Sequence, residues 1–111
     1  MYNKKLKVTL ENWLISDDEW LFQKFRDEII VSLAPEEAFE NIGLTVEYLL
    51  KNDEANSIEL IETLISLAKI SKTTEIPNAI FDNKESLEIH VLNFCDYAKS
   101  KLKELFSHYR I

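Results

Sequence analysis

The chain of 111 residues holds a single glycine, Gly43, and two prolines, Pro35 and Pro77, few of the residues that tight turns need. Two-residue hairpins draw on glycine or asparagine for their positive-φ positions, and sandwiches and barrels need such turns again and again along the chain. So few glycines and prolines argue against a sandwich or barrel and predict an all-α fold. One domain spanning 1–111 is expected, because the chain is too short for two separate cores. Its hydrophobic fraction of 46% is enough to offset the entropy of ordering it.

Capping signals divide the chain into four helices. Ser16-Asp-Asp-Glu19 has the form of a capping box and opens helix one, over 17–33. Ala34-Pro35-Glu-Glu37 opens helix two, over 35–51, with the proline at a first-turn position. Asn56-Ser-Ile-Glu59 opens helix three, over 57–71. The segment 71–84 lacks a sustained period and reads as a long connection pinned by Ile76, Ile80 and Phe81. Asp82-Asn-Lys-Glu85 then starts helix four, which runs toward the C-terminus. Residues 1–15 are ambiguous. Leu6, Val8 and Leu10 alternate like a strand, whereas Thr9 to Ile15 reads as a helical turn.

At 100° per residue each helix gathers an apolar face. Helix one presents Leu21, Phe22, Phe25, Ile29 and Leu33; helix two presents Phe39, Ile42, Val46, Leu49 and Leu50. Helix three is apolar over half its circumference, through Ile58, Leu60, Ile61, Leu64, Ile65, Leu67 and Ala68, and is expected at the centre. Helix four carries Leu87, Val91, Phe94, Cys95, Ala98, Leu102, Leu105 and Phe106. These stripes can close as a four-helix bundle or as two stacked helical hairpins.

Chemistry is easier to exclude than to assign. The chain has no Gly-rich phosphate loop, no paired histidines at metal-binding spacing, and one Ser-x-x-Lys arrangement, Ser100 to Lys103, on a surface turn. His90 and Cys95 stand five apart and so fall on different faces of one helix. No catalytic residue, metal site or cofactor is expected. A lone Cys95 suits a reducing compartment, and neither a signal peptide nor a membrane-length apolar run is recognisable, so the cytoplasm is the expected setting. His90, Tyr97, Lys101 and His108 line one edge of helix four, either as a polar contact strip or as the solvated border of its core face.

Charge is unevenly spread. The net charge is −7, yet residues 1–7 hold Lys4, Lys5 and Lys7 without an acid, and residues 8–70 hold fourteen acids against four bases. Such a surface repels nucleic acid and anionic lipid and attracts a basic protein partner. On helix two, Glu36, Glu40 and Glu47 form an acidic ridge with Glu37 close by, and Leu44 and Tyr48 lie beyond it, four residues apart. An aromatic and a leucine inside a collar of carboxylates have the composition of an interface anchor. The other reading is that the N-terminal segment or the 71–84 connection covers them. Trp20 lies away from the main face of helix one, with Asp17, Asp18 and Asp27 around it, either covered by Trp13 and Leu10 or exposed to a partner. Gly43, mid-helix, suggests close approach of another backbone or a kink.

In size, acidity and lack of catalytic motifs the chain resembles small bacterial immunity proteins, and its Ile, Asn and Lys usage suits an AT-rich bacterial gene. That resemblance implies one-to-one cytoplasmic neutralisation of a cognate, nuclease-type toxin. Glu36, Glu40 and Glu47 would then mimic phosphates or pair with Lys and Arg. The alternatives are a helical adaptor or self-associating bundle, a homodimer through Leu44, Tyr48 and Trp20, and an enzyme whose site is assembled from scattered residues.

Overall fold

The computed structural model describes residues 2–15 and 20–111. Helices α1 (Tyr2–Ile15) and α2 (Leu21–Phe25) are followed by a π-helical turn, Arg26–Ile30. Then come α3 (Pro35–Glu40), α4 (Ile42–Leu50), α5 (Glu54–Ser71), α6 (Asn78–Asp82), α7 (Lys84–Val91) and α8 (Asp96–His108). The described residues contain no strand, so the all-α expectation holds.

The ambiguous opening segment is a helix of 14 residues. Its period is four rather than two: Tyr2, Leu6 and Leu10 are buried and Trp13 is half-buried, while Val8 is exposed on the flank. This stripe seats α1 on α2, with the Trp13 ring edge-on to Phe22 at 5.2 Å. The Tyr2 phenol reaches Thr45 Oγ1 of α4 at 2.6 Å. Thr45 gives its own proton to the Asn41 carbonyl, 2.9 Å away, so Tyr2 must be the donor.

Helix one departs from its wheel because of the π turn. The Val31 amide donates to the Arg26 carbonyl five residues back, which inserts one residue into the helical register. Ile30 therefore takes the fully buried place expected for Ile29, and Ile29 and Leu33 are half-buried. The Ser16 to Glu19 capping box lies outside the described residues.

Helix two is interrupted at Asn41, whose side-chain amide donates to the Glu37 carbonyl at 2.8 Å. Helix three starts earlier than expected. Asp53, not Asn56, is the cap, accepting the Asn56 amide at 3.3 Å, and Asn56 is buried inside the first turn. Leu60, Ile61, Leu64, Leu67 and Ala68 of α5 are completely buried. This helix touches α3, α4, α8 and the π turn, which makes it the centre of the core.

The 71–84 connection contains α6, where Ile80 is buried and Ile76 half-buried, but Phe81 is exposed rather than pinned. Helix four is two helices. It breaks over Leu92 to Cys95: α7, with Leu87 and Val91 buried, touches α4, α6 and α8, whereas α8, with Ala98, Leu102 and Leu105 buried, lies along α5. Cys95 is the extended residue before α8 and is exposed, so its assignment to the core stripe is corrected. A cysteine side chain cannot cap the helix. Its backbone amide instead donates to Glu54 Oε2 of α5 at 2.7 Å.

Candidate functional site

Acidity concentrates in a stretch of the chain that carries no cation of its own. Residues 27–50 contain Asp27, Glu28, Glu36, Glu37, Glu40 and Glu47 and neither Lys nor Arg. Helix α3 carries three of these on a ridge with a cleft on each side. Pro35 fixes the first turn after the extended Ala34, so the carboxylates project from the first residues onward. One cleft, about 340 Å³, runs between α3 and the start of α1, with Glu37 and Glu40 on one wall and Asn3 and Lys5 on the other. The second, about 390 Å³, runs between α3 and the end of α5, lined by Glu36, Phe39, Glu40, Ser71, Thr73 and Glu75.

Glu75 is the residue that sequence reasoning missed. Lys72 ends α5 in the left-handed conformation (φ 57°, ψ 28°), and the chain turns so that Glu75 lines the same cleft as Glu36 and Glu40. No periodic signal marks it, since it stands in a connection. Among the described residues, no ion pair engages Glu36, Glu40, Glu47 or Glu75. Glu37 differs, because its carboxylate accepts the Ala34 amide at 3.1 Å and serves the helix start. Glu47, on α4, is exposed but lines neither cleft.

Leu44 and Tyr48 are not fully exposed. Both are half-buried against the core, and the Tyr48 hydroxyl donates to Asn3 Oδ1 of α1 at 2.9 Å. The N-terminal helix thus reaches Tyr48. Trp20 goes the other way. Trp13 packs on Phe22 and Leu10 is buried, leaving Trp20 63% exposed. Asp27 is exposed and accepts from the Gln23 amide at 3.3 Å; Asp17 and Asp18 lie outside the described residues.

The polar edge of helix four is an interlock with α5 and the loop after it. Arg26 Nη1 meets Glu59 Oε2 at 2.9 Å and its Nη2 meets Glu62 Oε2 at 3.1 Å, with only 11% of the arginine side chain exposed. Tyr97 donates to the other oxygen of Glu62, and that carboxylate pushes the phenol up to about 12. Lys101 lies 5.6 Å from the Tyr97 ring centre and pairs with Glu104 at 3.3 Å. His108 Nε2 is 3.2 Å from the Thr73 carbonyl and must donate to it.

His90 and Ser57 have the outline of a base and a nucleophile, with Nε2 3.0 Å from Oγ. The hydroxyl has one proton, and the carbonyls of Asn52 (3.1 Å) and Leu49 (3.3 Å) accept it. His90 is therefore the donor, and it cannot withdraw a proton from Ser57 in this arrangement. Ser57 is also fully buried.

No helix among the described residues is long and apolar enough to cross a membrane. Comparison with known proteins gives no match to a family model, to a curated relative or to a solved structure, so any functional reading rests on this chain's own residues.

Proposed function

We propose that this chain is an acidic protein-binding inhibitor that receives a basic partner on the α3 ridge, in the manner of an immunity protein neutralising a nuclease-type toxin. The observation that carries the reading is the contrast between two sets of acids. Glu59, Glu62, Glu88 and Glu104 are held by cations of this chain, whereas Glu36, Glu40 and Glu75 converge on one cleft without an ion pair. Unscreened carboxylates of one sign raise the encounter rate with a basic surface and discourage acidic ones. Phe39 and Pro35 beside them offer apolar surface to the stem of a lysine or arginine.

Affinity capture from the native cell, run in parallel with Glu36→Lys/Glu40→Lys, tests it. A basic protein should be retained by the wild type and lost in the variant at equal helical content. Equal retention by both would contradict the reading. Growth protection against a neighbouring toxin domain would identify the partner as a toxin. A second reading, an adaptor or a homodimer, is favoured by the exposure of Trp20 and Val31, each 63%. Sedimentation showing a dimer that Trp20→Ser/Val31→Ser dissolves would support it over the first.

A further inference from the structure

A further groove adjoins the cleft beside the acidic ridge, sharing Lys5 and Ile29 with it, but its own lining is mostly cationic. It holds about 570 Å³ between α1 and the α2 to π-turn segment, over an apolar floor of Val8, Leu21, Phe25 and Ile29. Two features of the backbone create that floor. The buried stripe of α1 runs through Tyr2, Leu6 and Leu10, leaving Val8 46% exposed on its flank. The π turn gives the core position to Ile30 and turns Ile29 outward to the groove. Interruptions of this type concentrate at functional sites in helices.

Lysines border the groove. Lys4 and Lys5 stand on the α1 side and engage no ion pair among the described residues. Lys24 stands on the facing helix, with Glu28 as the one acid of the lining. A chain of net charge −7 thus places three of its 13 cations around a single apolar groove.

We propose that this groove binds a single-chain anionic amphiphile, a medium-chain carboxylate whose headgroup is met by Lys4 and Lys5 and whose alkyl tail lies on the Val8, Phe25 and Ile29 floor. Size selects this occupant. From Leu21 to Ile29 is about 12 Å along a helix axis, the reach of a medium-length alkyl chain. A peptide helix of that length, about 10 Å across, occupies roughly 900 Å³ and does not fit within the groove. The volume itself falls within the usual span of small-molecule sites.

Sodium dodecanoate, kept below its micelle concentration, is titrated into the full chain by calorimetry and by amide chemical shifts. One saturable site should appear, with shifts centred on Val8, Leu21, Phe25 and Ile29. Lys4→Glu with Lys5→Glu should weaken it at least tenfold, with the helical far-UV signal intact; if that variant misfolds, Lys4→Gln with Lys5→Gln removes the same charges more gently. Lys99→Glu with Lys103→Glu, on the apolar groove between α7 and α8, should leave binding unchanged. Equal affinity for dodecyltrimethylammonium, unsaturable uptake, indifference to the Lys4 and Lys5 changes, or binding confined to anionic vesicles would each overturn the proposal.

Discussion

Gly43 sits inside α4, and a Cβ built on it would meet Ala79 Cβ of α6 at 3.6 Å, an ordinary van der Waals distance. Neither close approach nor a kink requires the glycine, since the helix interruption falls at Asn41, two residues earlier. Gly43→Ala should therefore raise unfolding stability by about 0.5–1 kcal/mol, read from the urea midpoint at constant m-value. Tyr97 gives a pH-dependent counterpart. Its folded phenol is raised from 10.0 to about 12, chiefly by the hydrogen bond to Glu62, so folding favours the protonated form. The associated stability is fully present below pH 10 and is lost as pH rises through about 12. Tyr97→Phe should lose less stability than the wild type between those values, while lysine titration affects both alike. A curve parallel to the wild type would show that the bond is absent in solution.

At the scale of elements, the break between α7 and α8 depends on a cap brought from elsewhere. Glu54→Ala leaves the Cys95 amide without its acceptor and should cost about 1 kcal/mol, with early loss of amide-exchange protection at the start of α8. Arg26 joins the π turn to α5 through two carboxylates. Arg26→Ala should cost about 2 kcal/mol, less than a fully buried pair because Glu59 and Glu62 keep some solvent contact. These elements also mark how far the sequence could be read. The central place of α5 and the start of α3 at Pro35 were legible, because apolar period and a proline at a first-turn position are local signals. The period of α1 was hidden, because Val8 between Leu6 and Leu10 imitates alternation over too short a window. The division of helix four was also hidden, because Phe94 and Cys95 continue the apolar pattern, and the Cys95 amide that opens α8 is held by Glu54, 41 residues away.

For the whole molecule, charge is sorted by surface: the α3 ridge is acidic and the α1 groove is basic and apolar. The ridge was visible in the sequence through Glu36 and Glu40, whose spacing places both on one helix face. The third acid of the adjoining cleft, Glu75, was not, because it reaches the cleft through the left-handed turn at Lys72. The partial burial of Leu44 and Tyr48 was hidden for a similar reason, since a wheel drawn on one helix does not show that α1 reaches Tyr48. Glu47 separates a local site from general acidity, being equally charged but outside both clefts. The most direct test is the dissociation constant of the captured basic partner for three variants at fixed salt. Glu36→Lys/Glu40→Lys and Glu75→Lys should each weaken binding at least tenfold, about 1.4 kcal/mol or more, with Glu47→Lys falling well short of that. Equal losses at all of these positions would mean that net charge alone governs association, and would contradict a site on α3.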